Sequence, residues 1–554
     1  MRGGRCRRRP EAGGCPGTRC AAARIPGEAR AVHLPKRERW RRPNPISESA
    51  PPTRVRPSRG IHGDRLTPPL ISCRPPASLR TFPVLHVSTR GAAPPLTFTD
   101  ALLAGLARDG GLYLPESWPS LAPETIAGLA GKPYAEAAKA VLAPLVDGEI
   151  PRAALDRMIE AAYAGFRHPA VCPLVQLDAN LFLLELHHGP TLAFKDVAMQ
   201  LLGRLMDHVL KARGSRATIV GATSGDTGSA AVEAFRGLDQ VDVFILFPHG
   251  RVSEVQRRQM TSVDSPNVHA LAVEGTFDDC QAIVKALFQH PRFAEEVRLS
   301  GVNSINWARV AAQATYYFTS AVALGAPHRP VSFAVPTGNF GDILAGWVAK
   351  RMGLPVGRLM IGTNANDILA RTLATGTYEV RGVAPTTSPS MDIQVSSNFE
   401  RLLFEALGRE PEGLTRLMAG LKQSGRFTLP PEVLKRVRSE FDAAAVPEPE
   451  VAAEIRDTYA RTGQILDPHS AIGVRAGRRL LEADPATPVV ALATAHAAKF
   501  PDAVEAATGI RPALPPHLAD LMTRPERFSV VANDEGAVER VIRERARILR
   551  GAAA

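Results

Sequence analysis

The chain has 554 residues, enough for two to four domains, and its hydrophobic content of 45% and charged content of 22% are those of an ordinary globular protein. No uninterrupted apolar stretch reaches membrane-spanning length, which argues against a transmembrane helix. The net charge of +12 is concentrated in residues 1–83, and residues 84–554 carry 48 basic and 50 acidic side chains. A nearly neutral body argues against a nucleic-acid-binding enzyme.

Residues 1–83 form a basic leader with 19 basic and 5 acidic residues. The leader is arginine-rich and poor in acids, as transit peptides are, but its 14 prolines would break an amphipathic helix. We therefore expect a disordered segment that is absent from the mature protein, with translation beginning near Val84. Mass spectrometry of the native N-terminus tests this, and a peptide from residues 2–60 would contradict it.

Cysteines are scarce outside the leader: residues 84–554 contain only Cys172 and Cys280. Two scattered cysteines make no disulfide framework, and no CxxC pair is present for zinc. We therefore expect no metal site and a reducing, cytoplasmic setting.

Residues 84–175 carry helical patterns and are predicted to form a mainly helical N-terminal segment. Thr99 and Asp100 suit a helix start, and Gly110, Gly111 and Pro115 suit its end. No nucleophile–base pair is visible here, so we expect the segment to serve packing.

A single lysine, Lys195, lies in apolar company in the stretch HGPTLAFKD (188–196), after the apolar run 181–186. Burial lowers the pKa of a lysine toward the neutral amine, the form that attacks a carbonyl to give a Schiff base. The alternative is a lysine whose stem is buried while its ammonium reaches water.

Residues 176–362 alternate β-rich runs with helical runs, which predicts parallel βαβ units in a doubly wound α/β sheet. The residues after 363 are predicted to be helix-rich, with one more buried strand. We expect a catalytic core over 176–525 in two subdomains with the site at their interface, followed by a helical tail over 526–554. The predicted strands cover residues 217–222, 241–247, 268–275, 331–337, 358–363 and 488–494.

Two strand-to-helix turns, at 221–228 and 336–342, are rich in glycine and small polar residues. Glycine permits tight turns, and amides at a helix N-terminus favour an anion. Neither turn has the P-loop or GxGxxG spacing, and each alone could be a structural turn. Together with Lys195 and the strand end at 493–496, they suit a phosphorylated aldehyde cofactor, pyridoxal phosphate.

Five motifs in this order resemble the threonine synthase family of fold-type II enzymes, which depend on pyridoxal phosphate. They are HHGPTLAFKD (187–196), GATSGDTGSAA (221–231), VPTGNFGD (335–342), DPHSAIG (467–473) and ATAHAAKFPDAV (493–504). The resemblance spans about 84–525 and has no counterpart for the leader. It implies doubly wound parallel sheets in two α/β domains, in a monomer or homodimer.

The resemblance also implies roles for individual residues. Lys195 would hold the cofactor as a Schiff base and shuttle protons, and Thr494 would contact the pyridine nitrogen. Asp226 would lie near the phenolic oxygen, where two like charges lead us to expect a shared proton or a displaced contact. The cofactor phosphate would meet the amides of Gly338, Asn339, Phe340, Gly341 and Asp342, and the candidates for substrate phosphate and carboxylate are Ser224, Thr227, Asn306 and Arg309.

For other polar residues, a role in the predicted site is less well supported by the sequence. His187 and His188 are expected to serve turns or packing, since no carboxylate that would orient them is identifiable. His469 and His496 could either line the site or be structural, and Asp392 is expected to cap a turn.

The implied reaction converts O-phospho-L-homoserine and water to L-threonine and phosphate. Three alternatives remain open: another fold-type II enzyme such as a threonine dehydratase or cysteine synthase, a non-catalytic binder of phosphorylated metabolites, and nucleic-acid binding by the leader.

Overall fold

The computed structural model describes residues 84–146 and 148–550, so the predictions for the leader lie outside the described residues. The strands are β1 (His86–Ser88), β2 (Tyr113–Pro115), β3 (Leu174–Gln176), β4 (Leu181–Glu185), β5 (Ala217–Ala222), β6 (Val241–Pro248), β7 (Val268–Val273), β8 (Leu299–Ser300), β9 (Val331–Pro336), β10 (Val356–Thr363), β11 (Thr377–Glu379), β12 (Arg426–Thr428), β13 (Phe441–Ala445), β14 (Val489–Ala493) and β15 (Ser529–Val531).

The helices of the first half are α1 (Phe98–Ala104), α2 (Pro123–Ala127), α3 (Tyr134–Val146), α4 (Arg152–Tyr163), α5 (Lys195–Ala212), α6 (Asp226–Phe235), α7 (Glu254–Thr261), α8 (Phe277–Gln289), α9 (Pro291–Glu296) and α10 (Trp307–Ala323). Those of the second half are α11 (Gly341–Arg351), α12 (Ile368–Thr375), α13 (Phe399–Ala406), α14 (Pro411–Ser424), α15 (Pro431–Glu440), α16 (Glu448–Thr462), α17 (Pro468–Ala483), α18 (Pro501–Thr508), α19 (Glu535–Arg545) and α20 (Arg547–Arg550). Short 3₁₀ helices cover Pro389–Met391, Ala497–Lys499, Pro516–Leu518 and Leu521–Thr523.

One sheet has the strand order β13-β10-β9-β14-β4-β3. Its strands are parallel except for β3, which pairs antiparallel to β4 at the edge. The central strands β9 and β14 are buried at every residue, as expected where helices cover both faces of a parallel sheet. The prediction of doubly wound sheets is confirmed, with β3 as its exception.

A second sheet has the order β15-β7-β6-β5-β8 and is parallel throughout. The tail predicted to be helical over 526–554 contains α19 and α20, but Ser529–Val531 also adds a strand beside β7. After that strand, α19 buries Val538 and Ile542 in the core of this sheet. Three residues of strand are too short for an alternating pattern to be visible in the sequence.

The N-terminal segment is mainly helical, as predicted, with the antiparallel pair β1–β2 added. The first helix begins at Phe98, one residue before the predicted start at Thr99. Thr97 caps α1, since its side chain accepts a hydrogen bond from the Asp100 amide. The helix ends at Gly105, whose φ of 65° is left-handed and favours glycine.

Within the described ranges, every helix is too short or too polar to cross a membrane. The same part of the chain holds no group of three or more His, Cys, Asp or Glu side chains placed to bind a metal.

Candidate active site

Four of the predicted site residues lie shortly after strands of the two sheets. Lys195 begins α5 after β4, Asp226 begins α6 after β5, Gly341 begins α11 after β9, and Thr494 directly follows β14. In open parallel sheets the carboxyl ends of the strands are where ligands bind.

The stretch before Lys195 is folded around one carboxylate. Asp196 accepts hydrogen bonds from the Thr191 amide at 2.8 Å and the Thr191 hydroxyl at 2.7 Å. A Cβ at Gly189 would lie 2.5 Å from the Asp196 side chain, so only glycine fits there. The turn therefore delivers Lys195 to the first position of α5.

The same stretch is bonded to the segment after β14. The Phe194 amide donates to the Thr494 carbonyl at 2.9 Å, and the His496 amide donates to the Leu192 carbonyl at 3.0 Å. Lys195 and Thr494, 299 positions apart in the sequence, therefore belong to neighbouring backbone segments.

Lys195 is a buried lysine, with 8% of its surface exposed, so the alternative of an ammonium in water is wrong. Its Nζ donates to Asp226 Oδ2 at 3.1 Å. Burial lowers the pKa of Lys195, while the Asp226 carboxylate opposes that shift. The neutral amine is therefore accessible to Lys195 more readily than to a surface lysine.

Asp226 accepts from several donors. Its Oδ1 lies 2.8 Å from Nζ of Lys499 and 2.7 Å from Nε2 of Gln256. Burial would raise the pKa of Asp226, but Lys195 and Lys499 hold it well below its usual range. The carboxylate is thus ionised, with two lysine side chains in contact.

Sequence reasoning missed both Lys499 and Gln256. Lys499 is fully buried and lies in the motif ATAHAAKFPDAV, so a lysine within an alanine-rich run was a usable signal. Gln256 lies on α7, whose sequence is mostly polar and therefore typical of a surface helix. Nothing in the neighbouring sequence marks Gln256 as a partner of Asp226.

The turn from Gly338 to Asp342 leads into α11. Phe340 adopts φ of 64°, and the amides of Gly338, Asn339 and Phe340 donate to no group among the described residues. The Ser396 hydroxyl donates to the Gly338 carbonyl at 2.6 Å, which anchors the turn. A row of unbonded amides at a helix N-terminus favours a phosphate.

The side chain of Asp342 does not take part in the same interactions as the backbone amides of this turn. It accepts from the hydroxyls of Tyr316 and Tyr317, while its Oδ2 has no hydrogen-bond partner. Burial raises the pKa of Asp342 to about 6. An anion at this turn is therefore bound by the backbone and not by this side chain.

Arg309 is a buried guanidinium, 3% exposed, with few partners. Its Nη1 donates to the Val302 carbonyl at 3.1 Å, its Nε donates to nothing, and no carboxylate among the described residues forms an ion pair with it. Burial lowers its pKa to about 10. Spare donors on a buried cation suit an anionic ligand.

The other candidates for substrate contacts differ in availability. Asn306 caps α10 through the Ala308 amide at 3.1 Å and donates to the Leu102 carbonyl at 2.9 Å, so its side chain is occupied. Ser224 and Thr227 are half-buried in the turn that leads to Asp226, and their hydroxyls have no partner in the described structure.

His188 has a carboxylate partner, which corrects the sequence interpretation. Its Nε2 lies 2.8 Å from Glu185. His187 packs against the rings of His188 and His496, and burial lowers its pKa to about 3. A ring that stays neutral serves packing, as expected.

Two further polar residues make contacts that hold turns in place. His469 Nδ1 contacts Asp467 at 2.7 Å, and its Nε2 accepts from the Ser390 amide at 3.3 Å. Asp392 accepts from the Thr386 amide at 2.9 Å and so caps a turn, as predicted.

Comparisons with known proteins agree with this geometry. Family models match residues 85–163 (threonine synthase N terminus), 169–495 (pyridoxal-phosphate dependent enzyme) and 470–542 (threonine synthase, C-terminal). A threonine synthase from Pseudomonas aeruginosa is 53% identical over 455 residues, covering 82% of this chain and 97% of that protein. The pyridoxal-phosphate-bound threonine synthase structure from Brucella melitensis is 62% identical with a TM-score of 0.82, and covers 84% of this chain and 100% of that one. The yeast threonine synthase structure is 40% identical with a TM-score of 0.79, over 83% of this chain and 98% of that one.

Proposed function

The chain belongs to the threonine synthase family of pyridoxal-phosphate-dependent enzymes, and from that premise we propose that it converts O-phospho-L-homoserine and water to L-threonine and phosphate. The observation that carries the proposal is the buried amine of Lys195 beside the ionised Asp226. This reaction is the last step of threonine biosynthesis.

The residues present fit pyridoxal phosphate. The Lys195 amine suits its aldehyde, the unbonded amides before α11 suit its phosphate, and the hydroxyl of Thr494 suits its ring nitrogen. When bound, the cofactor accepts electrons from the carbon atoms of the amino acid. Asp226, flanked by Lys195 and Lys499, is the proposed neighbour of the phenolic oxygen.

The chain's own residues do the remaining work. Lys195, as a free amine, takes the α-proton of the substrate and later returns a proton. Arg309 offers donors for the substrate phosphate, and the Ser224 and Thr227 hydroxyls offer donors beside it. Asn306 would join them only by giving up its bonds to Ala308 and Leu102.

Two further expectations belong to this proposal. We place the enzyme in the cytoplasm as a monomer or homodimer. The two described cysteines, Cys172 and Cys280, are buried free thiols, which agrees with a reducing compartment.

The test is an assay of phosphate and threonine with wild type and Lys195→Ala. Wild type should release both in equal amounts from O-phospho-L-homoserine, and Lys195→Ala should release neither. Lys139→Met is a matched control, since Lys139 is also buried but pairs with Glu136 and Glu160 on the surface of α3 and α4. A fully active Lys195→Ala enzyme would overturn the mechanism.

The same assay separates the alternative activities. Deamination of threonine, or cysteine formation from O-acetylserine and sulfide, at a higher kcat/KM than threonine formation would favour another fold-type II enzyme. Binding of the substrate without turnover would favour a non-catalytic binder.

A further inference from the structure

Two buried lysines share one buried carboxylate. Lys195 Nζ lies 3.1 Å from Oδ2 of Asp226, and Lys499 Nζ lies 2.8 Å from Oδ1. The exposed fractions are 8% for Lys195, 0% for Lys499 and 3% for Asp226. We call these three residues the charge triad. With all three ionised the triad would carry a net positive charge away from water, so its favoured state is the neutral one, in which one lysine has lost its proton.

The contacts decide which lysine is neutral. Lys499 Nζ donates to the Thr191 carbonyl at 2.8 Å and also forms an ion pair with Asp226 Oδ1 at 2.8 Å. Lys195 Nζ has one acceptor, Asp226 Oδ2, at the longer distance. An ammonium is stabilised by each acceptor it reaches, so the proton stays on Lys499.

The surrounding charges favour the same assignment. Burial lowers the pKa of Lys195, and the cations Lys499 and Arg309 lower it further. Within the part of the chain that the structure describes, Asp226 is the carboxylate in ion-pair contact with these lysines. The other titratable groups that face the triad are Asp342 and Arg309 toward Lys195, His469 toward Asp226, and Asp196 and His496 toward Lys499.

We propose that Lys499 is a positioning residue that keeps Lys195 as a neutral amine by pairing with Asp226 in its place. The inference rests on the proposed function, in which the Lys195 amine is the attacking group. Gln256 shares Oδ1 with Lys499 and helps to turn that oxygen away from Lys195. Without Lys499, the neutral arrangement would be an ionised Asp226 beside a protonated Lys195, which is not a nucleophile.

The test measures the reactivity of Lys195 directly. The full-length chain, freed of cofactor, is treated with trace acetic anhydride from pH 6 to pH 11, and acetylation of Lys195 is quantified by peptide mass spectrometry. In Lys499→Met we expect the pH of half-maximal modification to rise by about one unit or more, so that reactivity at pH 7.5 falls about tenfold. Lys499→Arg keeps the positive charge and should retain the wild-type curve.

A second variant separates charge from structure. In the double variant Lys499→Met with Asp226→Asn, the three positions of the triad carry no net charge when Lys195 is unprotonated. The reactivity of Lys195 should therefore return to the wild-type level or above. If Lys499 served packing alone, the double variant would be no better than Lys499→Met. Lys139→Met controls for the loss of a buried lysine elsewhere and should leave the Lys195 curve unchanged.

Two results would overturn the inference: an unchanged curve in a folded Lys499→Met chain, or no recovery in the double variant. Failure of the proposed function has a different signature, because wild type itself would then form no threonine. Wild type that forms threonine while Lys499→Met keeps the wild-type curve refutes only the role of Lys499.

Discussion

Replacing Arg309 with methionine should make the ligand-free enzyme more stable and the catalyst worse. The guanidinium is 3% exposed, and among the described residues its one hydrogen-bond partner is the Val302 carbonyl. Methionine is unbranched and flexible, so it fills much of the same space without a charge. The gain in stability and the loss of activity both follow from an anion-binding role. In that role Arg309 is a buried cation that has no carboxylate partner among the described residues before the anionic ligand binds.

The size of the stability gain follows from the pKa of Arg309. Burial lowers that pKa from its ordinary value to about 10, so the charge costs the folded protein about 3 kcal/mol. Loss of the hydrogen bond to the Val302 carbonyl destabilises the variant by roughly 1–2 kcal/mol and so offsets part of that gain. We therefore expect Arg309→Met to raise the free energy of unfolding by about 1–2 kcal/mol.

The assay compares thermal unfolding and kinetics of wild type, Arg309→Met and Arg401→Met. Arg401 is equally buried, but its guanidinium donates to the Tyr113 carbonyl at 2.9 Å and the Ile305 carbonyl at 2.6 Å, and it also bonds Asn398. Burial lowers the pKa of Arg401 to about 9, a cost of about 5 kcal/mol, but its loss strands three acceptors, so Arg401→Met should be about 1–3 kcal/mol less stable than Arg309→Met. Inorganic phosphate should raise the unfolding temperature of wild type and Arg401→Met but not of Arg309→Met.

Kinetics complete this comparison. Loss of a charged contact to substrate phosphate should lower kcat/KM of Arg309→Met by roughly 100-fold or more. The reasoning is refuted if Arg309→Met is no more stable than Arg401→Met, or if inorganic phosphate stabilises Arg309→Met as much as it stabilises wild type.

Two more predictions concern the turns that shape the site. Asp342→Asn should remove a pH-dependent cost: the pKa of Asp342 is raised to about 6, so ionising it costs the folded, cofactor-free chain up to about 3 kcal/mol above pH 6 and nothing below pH 4. The variant should therefore unfold at a higher temperature than wild type at pH 7.5 and at the same temperature at pH 4, whereas a difference that does not change with pH would contradict this. Gly228→Ala would place a Cβ 2.5 Å from Thr223 and 2.8 Å from Ile245, and should cost about 1–3 kcal/mol by denaturant unfolding. Gly165→Ala, where a Cβ meets open space, is its control, and equal stability of the two variants would show that the contact relaxes freely.

The strands around the site could be read from the sequence because both of their faces are buried. Runs such as those at 217–222 and 331–337 consist mainly of apolar residues, and the structure confirms them as β5 and β9 within one residue. Strand β13 (Phe441–Ala445) was missed, since its alanines are as typical of a helix as of a strand.

The site itself was predictable only in part. Residues in glycine-rich turns, such as Asp226 and Gly341, are marked by their surroundings in the sequence. Contacts between distant segments are not, and Lys499 and Gln256 reach Asp226 from other elements of the fold. The occupied side chain of Asn306 is a further example, because its bond to Leu102 depends on how α1 packs.

The position of β14 sets the order in which the enzyme can be completed during its synthesis. This strand lies between β9 and β4, although it is made about 300 residues after β4. At roughly 5–20 residues per second, β4 leaves the ribosome about 15–60 s before its partner, and one of its edges stays open for that time. A nascent chain that stops before Val489 lacks Thr494, Lys499 and the strand beside β4. Catalytic competence is thus among the last properties that the growing chain acquires, and truncated products would carry an unpaired strand edge prone to aggregation.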